Sequence, residues 1–367
     1  MRILIVIESK RLSEDDWGGG KGLIWEVKEE ISKYADIDVE YVKQSKSKWG
    51  RMLNQYGGYL LKNLYVESPK YDKVIVFPGY LFWSIPYNLW SKTIVLGPDS
   101  MILNSLSLYR ATEGFLRKNV LRRIFICLSK MNEKLILHFC KRYIVVGNSD
   151  KKCIDRLFPE YAKKTIFMHH PLLSKEQQDI FSFKYNMNME NKRFVFAGDL
   201  VKKYQDINVK KLVKALKDRM KECSKGINIL VVGKNNYWVF DSFMDIPNVN
   251  VKYIDYVDDY FDVCRSGVDV HCIPLASGSG TKNRTLTAIA NGLEIITTSI
   301  GIENIKWRGL TKVYIRSDMN DFADTMIKVN NNIMTAYDYK EMVRKRIEFI
   351  RMMNSIKSCE IKGIIEG

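Results

Sequence analysis

Short runs of aliphatic and β-branched residues recur along this chain, each cut off by glycine, proline or charge and each followed by helical spacing. Residues 3–7 (ILIVI) are the first such run. Apolar at every position, it suits a parallel strand buried on both faces. A loop with Gly18, Gly19, Gly20, Lys21 and Gly22 comes next, and then Leu23, Val27, Ile31 and Tyr34 recur at helical spacing. Residues 38–42, 74–77, 93–96, 143–146 and 165–168 read as further strands, and Ser149 as the cap of an intervening helix. Residues 172–191 are polar and weakly periodic, as a linker would be. A second series follows, with strands at 193–196, 227–232, 249–254, 268–274, 293–297 and 312–315. Helices are expected at 209–220, from Lys282, and over 321–329 and 338–353.

Two consecutive strand–helix series imply two doubly wound parallel sheets, and 367 residues suit two cores better than one. The expected division is an N-terminal Rossmann-like domain at 1–172, a linker at 173–191 and a C-terminal Rossmann-like domain at 192–337. The last helix, 338–367, is expected to pack back on the first domain. In such folds ligands bind outside the carboxyl ends of the strands, so functional residues belong on strand-end loops.

Seven cysteines lie scattered with no CxxC pair, which argues against a zinc or redox centre and fits a reducing cytosol. The first apolar run is too short for a signal peptide. The uncharged run 74–91 is interrupted by Pro78, Gly79, Ser84, Pro86 and Asn88, and reads as a buried strand and short helix rather than a membrane span. A lipid-touching apolar surface is the other reading.

The net charge of +16 is densest between Arg110 and Arg142, where nine basic residues meet only Glu113 and Glu133. There Leu121, Ile124, Leu128, Met131 and Leu135 recur every three or four residues as one apolar stripe, with the basic residues mostly off it. A solvated basic face is one reading. Attachment to an anionic membrane surface or a diphosphate-lipid acceptor is the other.

The strongest local signal is residues 274–284, PLASGSGTKNR, between a strand and a helix. Small residues allow close backbone approach, the helix N-terminus carries partial positive charge, and Lys282 and Arg284 add full charges. Together they suit a pyrophosphate. Neither a Walker A loop nor a GxGxxG fingerprint is matched.

Residues 278–305, GSGTKNRTLTAIANGLEIITTSIGIENI, resemble the donor-site signature of GT-B glycosyltransferases, particularly family 4 and its group 1 relatives. Residues 196–200 (FAGDL), 230–234 (LVVGK) and 253–259 (YIDYVDD) resemble the family's other C-domain strand ends, in the same order. The resemblance implies a GT-B fold of two domains facing across a cleft and transfer of a sugar from a nucleoside-diphosphate sugar, with no metal or other cofactor. It places Gly198, Lys202 or Lys203, Gly233 and Lys234 around the diphosphate, and Tyr253 and Tyr256 against the base. Ser277, Gly278, Ser279, Gly280, Thr281 and Lys282 form the donor loop. Ser279 and Thr287 stand where the family commonly carries two carboxylates, and Glu294 where it has proline.

A catalytic base is expected from the N-terminal half. Asp99, in Gly97-Pro98-Asp99-Ser100, could take a proton from an acceptor hydroxyl or could cap the following helix. His169 and His170 are rivals, His170 above all, and Glu8 ends the first strand. The loop at Gly18, Gly19 and Gly20 is expected near donor and acceptor, or else is a surface loop. The implied setting is bacterial surface polysaccharide synthesis, including lipopolysaccharide, in the cytoplasm and peripherally on the inner face of the cell membrane. The acceptor would be a polysaccharide or lipid-linked saccharide, and no nucleic acid is expected. The alternatives are a sugar-nucleotide 2-epimerase of the same fold and a non-catalytic sugar-nucleotide-binding paralogue.

Overall fold

The computed structural model describes residues 1–8, 20–43, 45, 47–58, 70–112, 114, 117–172, 192–198, 200–257, 263, 267–290, 292–306, 312–332 and 336–367. The chain divides into two compact units, Met1–Leu173 with Asn354–Gly367, and Ser174–Met353. The sequence-read linker, 173–191, lies outside the described residues, as do Gly18 and Gly19.

Unit 1 is built on six parallel strands: β1 (Arg2–Glu8), β2 (Asp36–Val42), β3 (Lys73–Phe77), β4 (Thr93–Leu96), β5 (Arg142–Val145) and β6 (Thr165–Phe167), in the order β2-β1-β3-β4-β5-β6. Its helices are α1 (Gly20–Ile31), α2 (Lys48–Gln55), α3 (Met101–Arg110), α4 (Arg123–Phe139) and α5 (Asn148–Leu157). Alternate residues of the strands feed two cores. Ile3, Ile5 and Ile7 pack with α1, and Leu4 and Val6 join Ile136 and Leu137 of α4 in the other.

Unit 2 carries β7 (Arg193–Ala197), β8 (Ile227–Val232), β9 (Val249–Ile254), β10 (Asp269–Ile273), β11 (Glu294–Thr297) and β12 (Val313–Ile315), parallel and ordered β12-β11-β10-β7-β8-β9. Its helices are α6 (Lys202–Met220), α7 (Tyr237–Phe243), α8 (Asn283–Ala290) and α9 (Met319–Val329). The last helix, α10 (Ala336–Glu366), is shared. Met342, Phe349 and Met353 are buried within unit 2. Ile361, Ile364 and Ile365 are buried in unit 1, where Lys357 pairs with Glu26 at 2.8 Å.

Several local expectations are corrected. Gly20 and Gly22 lie in helix α1 rather than in a loop, because the helical spacing that begins at Leu23 carries back through them. Residues 79–92 form two 3₁₀ segments, Gly79–Ser84 and Tyr87–Lys92, each preceded by a proline that cannot extend a helix backwards. Gly147, not Ser149, is the N-cap of α5. Helices α2 and α7 carry little sequence periodicity and were not expected.

The apolar stripe along α4 faces solvent: Ile124, Met131 and Leu135 are exposed, as are Leu121 just before the helix and Phe139 one turn on, and Leu128 is half-buried. The buried face holds Ser129, Asn132 and Glu133 beside Ile136 and Leu137. Those polar groups have specific partners. Asn132 accepts from Trp83 Nε1 at 2.7 Å and donates to the Gln55 carbonyl at 3.0 Å, while Ser129 bonds Ser105 at 2.8 Å. Hydrogen bonding, not hydrophobicity, chose which side of α4 turned inward.

Candidate functional site: the carboxyl edges of the two sheets

In unit 2 the chain leaves β7 on one side and returns on the other as β10, so the topological switch point lies between these strands. Four neighbouring strands, β10, β7, β8 and β9, end here; of the sequence-assigned donor residues, Gly198, Gly233, Lys234, Tyr256 and residues 277–282 sit on the turns that follow them, while Tyr253 lies in β9 and Lys203 in the first turn of α6. Gly198 has φ +88° and Gly233 φ +131°. Any side chain at 233 would start 2.7 Å from the Gly198 carbonyl oxygen, so glycine lets these two turns touch. Asn236, fully buried, ties them together. Its Nδ2 donates to the carbonyls of Gly198 and Val232, each at 2.5 Å, and its Oδ1 accepts from Leu200 N at 3.0 Å. Sequence reading missed Asn236; its only signal was an asparagine three residues after a strand-end glycine.

The lysines of this edge sit on aromatic rings. Lys202 Nζ lies 5.7 Å from the centroid of Trp238, Lys203 Nζ 4.5 Å from Tyr204, and Lys234 Nζ 4.4 Å from the exposed ring of Tyr256. Tyr253 donates to the Gly233 carbonyl at 3.1 Å and to Asp255 at 2.8 Å. Burial, and then the Asp255 carboxylate, push its phenol up to about 12, so it stays a donor.

The loop between β10 and α8 is anchored from both sides. Ala276 N bonds the Tyr204 carbonyl at 2.9 Å, and Thr298 Oγ1 donates to the Leu275 carbonyl at 2.8 Å. Gly278 and Gly280 take φ +148° and +66°. Ser277 is completely buried and Ser279 nearly so, yet neither hydroxyl has a hydrogen-bond partner. Buried polar groups are normally satisfied, because an unmade bond costs about 1–3 kcal/mol. Two such hydroxyls lie in this one loop. Thr281, Lys282 and Arg284 follow, half-buried, and Thr287, on the carboxylate-replacing position, is half-buried in α8. Behind Arg284 lies His271 of β10, which burial, and then the Arg284 charge, press down to about 3.

Glu294, by contrast, opens β11 at the opposite edge of the sheet. Fully buried, it pairs at 2.7 Å with Lys192, which also donates to the Gly267 carbonyl at 2.9 Å. This departure from the family pattern is a clamp across the strands' amino ends.

In unit 1 the switch point falls between β1 and β3. Glu8 ends β1, buried, with the Tyr80 hydroxyl 3.0 Å from both carboxylate oxygens. Asp99 stands two residues before α3, half-buried, but the N-cap is Ser100, whose Oγ accepts from Leu103 N at 3.2 Å. The rest of that helix start is occupied by α4. Glu133 accepts from Ser100 Oγ (3.0 Å), Met101 N (3.1 Å), Ile102 N (3.2 Å) and Tyr143 Oη (3.0 Å). Complete burial still pushes it up to about 7. Asp150, also buried, accepts from Ser100 N at 2.8 Å. The structure does not bring Asp99 and His170 together: β5 separates the strands they follow. His170 is buried, donates Nδ1–H to the Pro171 carbonyl at 2.8 Å, and is pushed down to about 4 by that burial. Its neighbour His169 contacts Glu360 of α10 at 2.7 Å. Gly20 opens α1; Gly18 and Gly19 of the same sequence-read loop are outside the described residues.

Among the described residues no group of His, Cys, Asp and Glu could hold a metal ion, and no helix is long and apolar enough to cross a membrane.

Residues 191–332 match the family of glycosyl transferases group 1. No curated protein sequence matches the chain. Solved structures do. Sucrose-phosphate synthase from Thermosynechococcus elongatus is similar with a TM-score of 0.63 at 11% identity, over 99% of this chain and 98% of that one. WaaG, a glycosyltransferase involved in lipopolysaccharide biosynthesis, gives 0.61 at 10% identity over 100% of both chains. HepE of Anabaena, in complex with UDP and glucose, gives 0.56 at 11% identity over 100% and 98%. At these identities the likeness establishes the fold, which is GT-B.

Proposed function

We infer from the group 1 glycosyl transferase domain at residues 191–332 that this chain moves a sugar from a nucleoside-diphosphate sugar to a polysaccharide or lipid-linked saccharide. The setting we propose is bacterial surface polysaccharide synthesis at the inner face of the cell membrane. The observation that carries the reading is the pair of buried, unpartnered hydroxyls, Ser277 and Ser279, in the loop at the switch point of unit 2. A diphosphate or sugar hydroxyl would satisfy them. HepE, of the same fold, was captured with UDP and glucose, which makes UDP the first probe.

In the reaction the bond between the anomeric carbon and the donor's phosphate oxygen breaks, and its electron pair stays on the departing diphosphate. A new bond forms from the anomeric carbon to the acceptor oxygen, whose proton leaves. Backbone N–H groups and fixed cations stabilise the growing charge on the diphosphate, with no metal required. Asp99 is the residue of unit 1 proposed to take the proton. Ser279 and Thr287, in place of carboxylates, would offer the donor hydroxyls instead of charge.

The outward face of α4 supports a membrane partner. Leu121, Ile124, Met131, Leu135 and Phe139 are exposed among Arg123, Lys130 and Lys134, the composition of a helix lying in an anionic interface. Each such cation contributes about 1 kcal/mol near that surface. Two measurements test the proposal. Mass spectrometry with UDP-sugars and lipid-linked saccharides should show a glycosylated acceptor, and hydrolysis or epimerisation alone would reject transfer. Vesicles containing anionic lipid should sediment the protein, neutral ones should not, and Lys130→Glu with Lys134→Glu should abolish the difference.

A further inference from the structure

The turn between β4 and α3 carries Asp99, and it is fixed on both sides of that residue. Before it, Gly97 N donates to the Ile144 carbonyl at 3.0 Å and Val146 N donates to the Pro98 carbonyl at 3.1 Å. After it, Ser100 N donates to Asp150 at 2.8 Å. One buried carboxylate, Glu133 of α4, reaches the turn from both directions. Its Oε2 accepts from Ser100 Oγ, the residue after Asp99, and its Oε1 accepts from Tyr143 Oη. That same phenol oxygen lies against Gly97, where a side chain would begin 2.8 Å from it. Glu133 therefore brackets Asp99, with Tyr143 under one end of the turn and the start of α3 at the other.

Capping the helix does not by itself call for this residue. Ser100 already accepts from Leu103 N, and a carboxylate taken wholly out of water costs stability. An ionised carboxylate does have the capacity to accept four hydrogen bonds at once. Each oxygen here takes one backbone N–H and one hydroxyl: Met101 N and Tyr143 Oη on Oε1, Ile102 N and Ser100 Oγ on Oε2. A glutamine amide of the same size would leave a backbone N–H facing its NH₂ in either orientation. Helix α4 is in turn held in place by Asn132, bonded to Trp83 and Gln55, and by Ser129, bonded to Ser105.

We propose that Glu133 is a positioning residue for sugar transfer, holding the turn between β4 and α3 so that the Asp99 carboxylate stands where the acceptor's proton is released. The proposal rests on the transfer reading above and on Asp99 as its base. Glu133 touches no reacting atom and exchanges no proton with the substrate; it acts through Ser100 and Tyr143.

The test is a double-mutant cycle on kcat at pH 8, where the Glu133 carboxylate is ionised. The substrates are the UDP-sugars and lipid-linked saccharides named above, with the product followed by mass spectrometry. Asp99→Asn should lower kcat about a hundredfold. Glu133→Gln should lower it about tenfold at unchanged KM for the UDP-sugar, because the base is displaced while the donor loop of unit 2 is untouched. Tyr143→Phe removes one donor and keeps the carboxylate, so it guards against loss of fold in the glutamine variant; it should lower kcat by less. In the Asp99→Asn background neither change should lower kcat further, since each acts through that carboxylate. A merely structural role would multiply the losses. Multiplied losses, or a wild-type kcat in both Glu133→Gln and Tyr143→Phe, would overturn the assignment. Full activity in Asp99→Asn would overturn it by removing the base that Glu133 serves. A wild type that forms no glycosylated acceptor would reject the transfer reading itself, and the assignment with it.

Discussion

Helices α3 and α8 both begin just beyond the carboxyl edge of a parallel sheet, and the protein treats their N-termini in opposite ways. The start of α3 is already filled. Glu133 and the cap Ser100 take its first N–H groups, and Asp150 takes the N–H of Ser100 itself. The start of α8 is preceded by a loop whose two serine hydroxyls are buried without partners, with Arg284 lying over a glycine turn. A helix N-terminus attracts anions in either case. In unit 1 the anion is a carboxylate of the chain itself; in unit 2 the anion we propose is the donor's diphosphate. Strand-end position therefore does not identify a ligand site until the local hydrogen bonds have been followed to their partners.

That contrast can be broken by substitution. Glu133→Ala should cost most, roughly 3–5 kcal/mol in denaturant unfolding, because four donors lose a buried acceptor together. A loss below 1 kcal/mol would mean the α3 start is satisfied by something else. Asn236→Ala should cost about 2–3 kcal/mol by freeing the turns after β7 and β8, and should also weaken nucleotide binding.

Acid should separate the two units. His271 in unit 2 and His170 in unit 1 titrate below their ordinary value of 6.5 in the folded state, so each contributes stability above that value that is lost as pH falls. At pH 5 the loss is about 2 kcal/mol per group. Glu133, raised to about 7, works the other way, contributing stability as pH falls from there towards 4.5. Among the described residues buried with shifts in this window, unit 1 has one group of each sign and unit 2 the histidine. Hydrogen exchange at pH 7 and pH 5 should show unit 2 loosening more; equal loosening would contradict the comparison. Ser277→Ala should have the smallest effect on folding, between neutral and about 1 kcal/mol stabilising, since it removes a buried hydroxyl that bonds nothing. The same change should weaken UDP binding, and unchanged binding would place the ligand elsewhere.

Much of the architecture was legible because strand runs are contiguous. Residues 227–232 and 249–254 coincide with β8 and β9, and the glycines that end β7 and β8 stand on the turns where sequence put them. Failures came where a residue's partner was far along the chain. Which face of α4 meets the core could not be read from its stripe; Asn132 and Glu133 bind Trp83 and Tyr143 and leave the stripe outward. One miss was local: of the two readings of Asp99, base or cap, the cap is taken by the neighbouring Ser100.

By itself, then, the sequence determined the two parallel sheets, because alternating apolar runs and helical periods are local properties that no distant contact has to supply. It also placed the glycine–serine loop between β10 and α8, since those residues and the strand before them are neighbours in the chain. Only the tertiary structure decided which cation lies over the β7 turn, which face of α4 meets water and which helix start is already occupied. Each of those depends on hydrogen bonds or close approaches between residues far apart in the chain, whose strength falls away within an ångström and which no spacing along the chain encodes.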